Sequence, residues 1–374
     1  MRSEAVRFGI FTTLEDAGLA HDAGYEEFLD QAVLAEELGY DSVWLAEHHG
    51  SAYGTIPRPS IFATAVAMRT SRIRIGTLVT ILPFCNPVRT AEDWAMVDVL
   101  SGGRVDLGVG RGYQPSEFAL MGADPTFSRE VFSEGLEVLL GLWRNESFSF
   151  TGKHFTLRDA QVFPRPIQSG GPPVWVGALS PEGFAVVAKH GLNLAMQPTM
   201  MPMPVLKDAA VEAARTLIDH GRRPESIDFP LQMMVHIAPT KAKAREIAHE
   251  PINWFFDRVL TKVPGAQGPA AASYEFYKQV ADQMSGAVSL ASLEEAGIVM
   301  VCDPDQAIET LTQLQTDIGT KQFSAWMRFG GLADEHVRNS MKLFAAEVMP
   351  HIPTDSPTPA AFTNSEIEPF TTSV

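Results

Sequence analysis

The sequence predicts an α/β fold, a (β/α)8 TIM barrel with insertions. Three observations predict it. Short apolar runs rich in β-branched residues alternate with longer amphipathic ones. Eight such units can be read between Arg7 and Val348. No stretch of linker composition divides them. Alternating strands and helices build a parallel sheet with right-handed crossovers, and eight units favour a closed ring over an open sheet. A chain of 374 residues is long for one domain, but barrels of this class are long. Residues 1–352 are therefore read as one barrel domain, and the Pro/Ser/Thr-rich 353–374 as a disordered tail.

The first strand is Arg7 to Phe11. Tyr25 to Leu38 (YEEFLDQAVLAEEL) is amphipathic and stops at Gly39, a normal helix end. Asp41 to His48 is the second strand, Ile61 to Met68 a helix, and Ile73 to Thr80 the third strand. Pro87 opens the helix that runs to Leu100, at a first-turn position where its missing N–H does no harm. Arg104 to Val109 is a strand and Phe127 to Trp143 a helix. Ser147 to Leu157 (SFSFTGKHFTL) alternates with period two around Thr151 and Gly152, which predicts a small hairpin outside the barrel. Pro173 to Val176 resumes the barrel, followed by a helix over Pro181 to His190 and a strand over Leu192 to Met196. Then come a helix over Met203 to His220, a strand over Leu231 to Ile237 and a helix over Lys241 to Val259. Residues 261–290 are rich in Gly, Ala, Pro and Ser and fit no barrel element, which predicts a functional or mobile insertion. Asp303 to Ile318 is a helix, Phe323 to Phe329 the last strand and His336 to Val348 the last helix.

Composition narrows the function. The chain is 45% hydrophobic and 20% charged, with a formal net charge of −16. That balance suits a globular core and offers no electrostatic footprint for nucleic acid or anionic lipid. No signal peptide and no run of membrane-spanning length is visible, so a cytoplasmic location is expected. Cys85 and Cys302 suggest neither a disulfide framework nor a cysteine metal site.

Chemistry in such barrels gathers at the C-terminal ends of the strands. The second strand ends in Ala46-Glu47-His48-His49. Alternation points Ser42, Trp44, Ala46 and His48 inward, which puts an imidazole at the barrel mouth. It suits a general base near neutral pH, a backbone-bonded structural histidine or a metal ligand; adjacent histidines on one strand share a metal poorly. The fourth strand ends in Gly108-Val109-Gly110-Arg111-Gly112, where Tyr113-Gln114-Pro115 breaks the strand-to-helix continuity of a dinucleotide fingerprint. Gly108 and Gly110 leave room for a flat ring against the backbone. Arg111 suits a phosphate or a surface ion pair. After the fifth strand, Ser180 is a good helix N-cap with Pro181 and Glu182 behind it: an anion site or an ordinary helix start, with Glu182 arguing against an anion very close by. Met196, Met200, Met201, Met203, Met233 and Met234 suit either an adaptable apolar pocket or plain core.

Taken together these stretches resemble the luciferase-like monooxygenases, the α subunit of bacterial luciferase in particular. The resemblance rests on Gly39 to His49 (GYDSVWLAEHH), Gly76-Thr77, Pro83 and Pro87-Val88-Arg89. It continues through Ala91-Glu92-Asp93, Asp98, Leu100-Ser101, Gly103-Arg104, Arg111-Gly112 and Ser128-Arg129. Pro173-Val174, Val176 and Ser340 to Phe344 extend it to about residue 351.

The resemblance implies a monooxygenase that uses reduced FMN and dioxygen on a small, mostly apolar organic substrate. It places the catalytic pair at His48 and Glu47. It places cofactor contacts at Leu78 and Val79, where the family tends to carry a non-proline cis peptide, and at Arg111, Glu117, Arg129, Leu179 and Ser180. No metal is implied, and 261–290 falls on the luciferase lid. No nicotinamide site is visible, so a separate flavin reductase is the expected partner, and a homo-oligomer, a dimer, the expected assembly. Departures from luciferase are Leu179 for a glutamate, Gly183 for a threonine and Gly110 for a cysteine of its flavin site, and light emission is not implied. The rivals are a deazaflavin-dependent hydride-transfer enzyme on the same barrel, a non-catalytic flavin-binding protein, and a metal-dependent hydrolase using Glu47 and His48.

Overall fold

Inward and outward faces alternate along a parallel ring of strands, and the ring carries the site. The computed structural model of the protein describes residues 6–196, 201–260 and 289–363. Strand β1 (Arg7–Thr12) leads into α1 (His21–Leu38) and β2 (Ser42–Leu45) into α2 (Pro59–Arg69). Strands β3 (Arg74–Thr77) and β4 (Thr80–Ile81) precede α3 (Pro87–Ser101) and β5 (Val105–Gly110). Helices α4 (Pro115–Met121) and α5 (Ser128–Arg144) follow, then the antiparallel pair β6 (Phe148–Thr151) and β7 (Thr156–Ala160). The ring resumes with β8 (Val174–Gly177), α6 (Pro181–His190), β9 (Asn193–Ala195), α7 (Met203–Asp219) and β10 (Leu231–Ile237). Helices α8 (Lys241–Leu260) and α9 (Leu290–Glu295), β11 (Val299–Cys302), α10 (Pro304–Ile318), β12 (Gln322–Trp326), α11 (Asp334–Glu347) and α12 (Ala360–Thr363) complete it.

The strands pair in parallel in the order β12, β1, β2, β3, β5, β8, β9. A single bridge between Met196 and Leu231 joins the end of β9 to β10, and β10 pairs with β12. The ring closes there. β4 pairs with the end of β5, and β11 flanks the C-terminal half of β10. The caps are those the residue types favour. Gly39 ends α1 at φ 86° with its N–H on Ala35 and Glu36 carbonyls, and Asn86 caps α3 through Val88 and Arg89 N–H ahead of Pro87. Among the described residues no helix is long and apolar enough to cross a membrane.

The structure departs from the sequence reading at five places, one of them helix α4, which stands where no element was expected. Strand β3 is not continuous from Ile73 to Thr80: it breaks at Leu78 and Val79, whose peptide bond is cis. β2 ends at Leu45, and Ala46 to His49 continue as irregular chain, with Ala46 N–H on the Thr12 carbonyl. The strand Val299–Cys302 and the helix before it lie where no element was expected. The expected disordered tail is corrected as far as Thr363: Phe362 is buried against the Phe229 ring, and Gln315 donates to the Pro353 carbonyl. Residues 364–374, and 261–288 of the expected lid, lie outside the described residues.

Candidate active site

A cavity of about 400 Å3 opens at the C-terminal ends of the strands. Its wall is drawn from the ends of β1, β2, β5, β8 and β9, from the β3–β4 break and from Gln232 at the start of β10. All nine residues expected at the site border it: Glu47, His48, Leu78, Val79, Arg111, Glu117, Arg129, Leu179 and Ser180.

The imidazole end is buried and tightly bonded. His48 is 8% exposed, and its ring lies 4.2 Å from that of Tyr53. Its Nδ1 is 3.0 Å from Oε1 of Glu117, which also accepts from the His49 backbone N–H at 2.9 Å. A carboxylate offers only acceptors, so Nδ1 carries the proton of the neutral ring and Nε2 keeps the lone pair. The Gln114 amide lies 3.2 Å from the same Nδ1. The amide oxygen and nitrogen are interchangeable by rotation, so Gln114 can turn its buried Oε1 to the Nδ1 proton. Glu117 and Gln114 both come from the turn that opens α4 at Pro115, and both are buried.

Glu47 is occupied elsewhere. Its Oε1 is 2.9 Å from Nε2 of His49 and its Oε2 accepts from the Ile81 N–H at 3.0 Å. The hydrogen bond that the His49 ring donates to Glu47 raises the pKa of His49, against the effect of burial. Glu47 thus ties the end of β2 to β4, and the acid that holds His48 is Glu117, not its sequence neighbour. Burial also lifts the Tyr53 phenol well above its usual range, so it stays protonated. Tyr53, Tyr113 and Gln114 were not expected at the site; no spacing rule flags a tyrosine or glutamine in a loop.

The neighbouring wall, along β3, β5 and β8, is shaped by missing side chains. A Cβ on Gly110 would lie 2.5 Å from Val79 Cγ2, and one on Gly177 would lie 2.8 Å from Val79 Cγ1. A Cβ on Gly108 would run into the Thr77 carbonyl oxygen. These glycines make room for the β3–β4 break itself, rather than only for a ligand, and so set Leu78 and Val79 at the cavity surface.

The third part is the start of α6. Ser180 holds the extended N-cap conformation before Pro181. Arg129 reaches it from α5 and pairs with Glu182 at 3.3 Å. Burial works against ionisation of Glu182, yet its own N–H, Ser180 and Arg129 hold its carboxyl below the usual range. Both members of the pair are exposed, at 46% and 58%. Of the methionines, Met196 borders this cavity, whereas Met203 and Met233 line a separate one outside the ring. Met201 and Met234 are buried in the core, and Met200 lies outside the described residues. Among the described residues, no three His, Cys, Asp or Glu side chains gather as metal donors.

The profile described as luciferase-like monooxygenase matches residues 6–321. The chain belongs to that family. It is an oxidoreductase on the luciferase-like barrel. One crystal structure, of monooxygenase RslO1 from Streptomyces bottropensis, superposes with a TM-score of 0.76 at 25% identity, over 92% of this chain and 99% of that one. An oxygenase component named flavin-dependent trigonelline monooxygenase, from Acinetobacter baylyi, is 24% identical over 92% of this chain and 95% of its own length. The match to an uncharacterized Sinorhizobium fredii protein, y4wF, is 38% identical, but the chain spans only 55% of that relative's length and the match 50% of this chain. An Amycolatopsis mediterranei protein named F420-dependent glucose-6-phosphate dehydrogenase is 34% identical over 54% of this chain and 65% of its own.

Proposed function

We propose that this luciferase-like monooxygenase binds reduced FMN and uses it with dioxygen to oxygenate a small, mostly apolar organic substrate. One observation carries the reading: an imidazole held by Glu117, a side-chain-poor wall at Leu78 and Val79, and a helix N-terminus with Ser180 and Arg129 all border a single cavity. The lining fits a flavin nucleotide. The Leu78–Val79 surface suits one face of a flat ring, and the positive end of α6 suits its phosphate once Glu182, whose carboxyl holds its own N–H, gives way. Arg129, and Arg111 from the end of β5, supply the cationic groups. Reduced flavin, when bound, supplies the electrons that activate dioxygen.

The chain's own residues hold, orient and move protons. His48, with its lone pair on Nε2 and its Nδ1 proton fixed by Glu117, takes a proton at the cavity and returns it. Glu117 and Gln114 set the angle and tautomer of that ring, and Glu47 positions the segment that carries it. Leu179 and Val79 give the cavity apolar wall, which favours an apolar substrate and keeps water out.

We place a separate flavin reductase as the source of electrons, consistent with the oxygenase-component name of the Acinetobacter relative. A homodimer is part of the same reading. Ile61 and Met68 on α2, and Met96, Val99 and Leu100 on α3, all expose apolar side chains on two adjoining helices.

The test is oxygen consumption by the purified protein with reduced FMN against aldehydes, ketones and aromatic polycycles. Substrate-dependent uptake, abolished in His48→Ala with FMN binding kept, is the expected result. Uptake that no substrate alters removes the assignment. The competing reading, a deazaflavin hydride-transfer enzyme, has the F420-dependent relative in its favour. Absorbance titration with FMN and with the deazaflavin decides between them.

A further inference from the structure

The cavity has an amide with nothing to bond. Gln232, on β10, is 1% exposed, and neither its Nε2 nor its Oε1 has a hydrogen-bond partner. It borders the cavity beside Ala195 and Met196, with Phe11 also in the lining. Buried amides in folded proteins are almost always paired, so a carboxamide left open at both ends of its dipole points to a partner that arrives. Its register neighbour on β12, Ser324, also buries a hydroxyl without a partner. Of the two, Gln232 alone is in the cavity lining, with the apolar Phe11, Ala195 and Met196.

The ring order shows which side of the cavity that partner would occupy. Counting from β3 through β5, β8 and β9, β10 is the fourth strand; counting the other way, through β2, β1 and β12, it is again the fourth. Gln232 therefore stands across the barrel from the Leu78–Val79 break. A flat ring lying on Leu78 and Val79, with its phosphate at α6, uses the β3, β5 and β8 side. Its free face looks toward β10.

We propose that Gln232 is a substrate-specificity residue that reads a neighbouring donor and acceptor on the compound to be oxidised. The inference rests on the flavin reading above and sharpens its substrate class. A primary carboxamide offers an N–H and a C=O side by side, so its complement is a ring carrying a carbonyl next to an N–H or O–H, such as a lactam or hydroxy ketone. A bare hydrocarbon of the same shape fills the cavity but leaves the amide unmatched, and a site built to hydrogen-bond its substrate rejects such an analogue.

The test compares isoquinolin-1(2H)-one with naphthalene, a bicyclic pair of one size with and without the lactam. Binding of each to the FMN-loaded protein is followed by flavin fluorescence, alongside the FMN dissociation constant. Gln232→Leu lowers the isoquinolinone-to-naphthalene affinity ratio about tenfold or more, as loss of two neutral hydrogen bonds should. FMN affinity stays within about twofold, since the phosphate and ring walls are untouched. Gln232→Met, close in volume, reproduces the loss if the Leu variant folds poorly. An unchanged ratio in both variants, or a wild type that takes neither probe, overturns the proposal. So does a loss of FMN affinity in place of the ratio change, which would assign Gln232 to the flavin. Should the wild type take up no FMN, the flavin reading falls, and the same ratio measured by titration calorimetry on the flavin-free chain decides the role of Gln232.

Discussion

The two ends of the cavity are built by different means. At the His48 end the polar groups are buried and held by neighbours that secondary structure fixes: Glu117 by the first turn of α4, Glu47 by His49 and the Ile81 N–H. At the α6 end Arg129 and Glu182 are exposed and neutralise each other. A buried, hydrogen-bonded imidazole is positioned closely and shielded from salt, whereas an exposed ion pair is adjustable and weak. Proton transfer demands the first arrangement. On the proposed FMN reading, holding a phosphate that leaves and returns demands only the second, with Glu182 as the resident competitor it must displace.

That contrast can be broken most forcefully at His48. Replacing it with Ala should lower kcat about a hundredfold or more, the usual scale for a lost general base, with FMN affinity within about twofold. Equal loss of both, by kinetics and flavin titration, would show that the two ends are not separable.

Next in size is the pH response of the buried end. Thr13, in the cavity lining, donates to Oε1 of Glu15, whose carboxyl is 6% exposed. Burial raises its pKa from 4.5 to about 7, opposed by the Thr13 hydrogen bond and by Arg328. The folded value exceeds the unfolded one, so the folded state binds the proton more tightly. The resulting stability is full below about pH 4.5 and is lost as pH rises through about 7. Denaturant titrations should show a loss on the order of 3 kcal/mol across that window, removed in Glu15→Gln. A wild type as stable at pH 8 as at pH 5 would contradict it.

A smaller effect sharpens the role of Glu117. Its replacement by Ala leaves the His49 N–H and His48 Nδ1 without their acceptor, at about 2 kcal/mol of stability and roughly tenfold in kcat. Glu117→Gln should recover most of the stability and less of the rate, because the amide keeps the shape but loses the charge. The smallest changes belong to the exposed end. Arg129→Ala should weaken FMN binding about fivefold at low salt and less at high salt, and Glu182→Gln should tighten it about twofold. A salt-independent Arg129 effect would mean that the pair is not the exposed electrostatic site described.

Much of this was legible in the sequence, and the misses have physical causes. Alternation along Ser42 to His48 put the imidazole inside the ring, although the strand itself ends at Leu45. Glu117 was reachable only by resemblance, because its helix is seven residues long and too short for a periodic signal. Val299–Cys302 was missed because a buried four-residue strand has no alternation and stands beside an irregular insertion. Gly110 reads as space for a ring, but its lost side chain makes way for Val79, a contact that no local pattern encodes. Met233 and Gln232 are adjacent on β10, so strand parity alone separates the methionine outside the ring from the amide inside it.

The most direct test of the central claim is a crystal structure of the protein with FMN. The account predicts the ring against Leu78 and Val79 with the His48 imidazole at its exposed side, and the phosphate at the start of α6 beside Ser180 and Arg129. Density for FMN anywhere else, or a ring that leaves His48 out of reach, would contradict it.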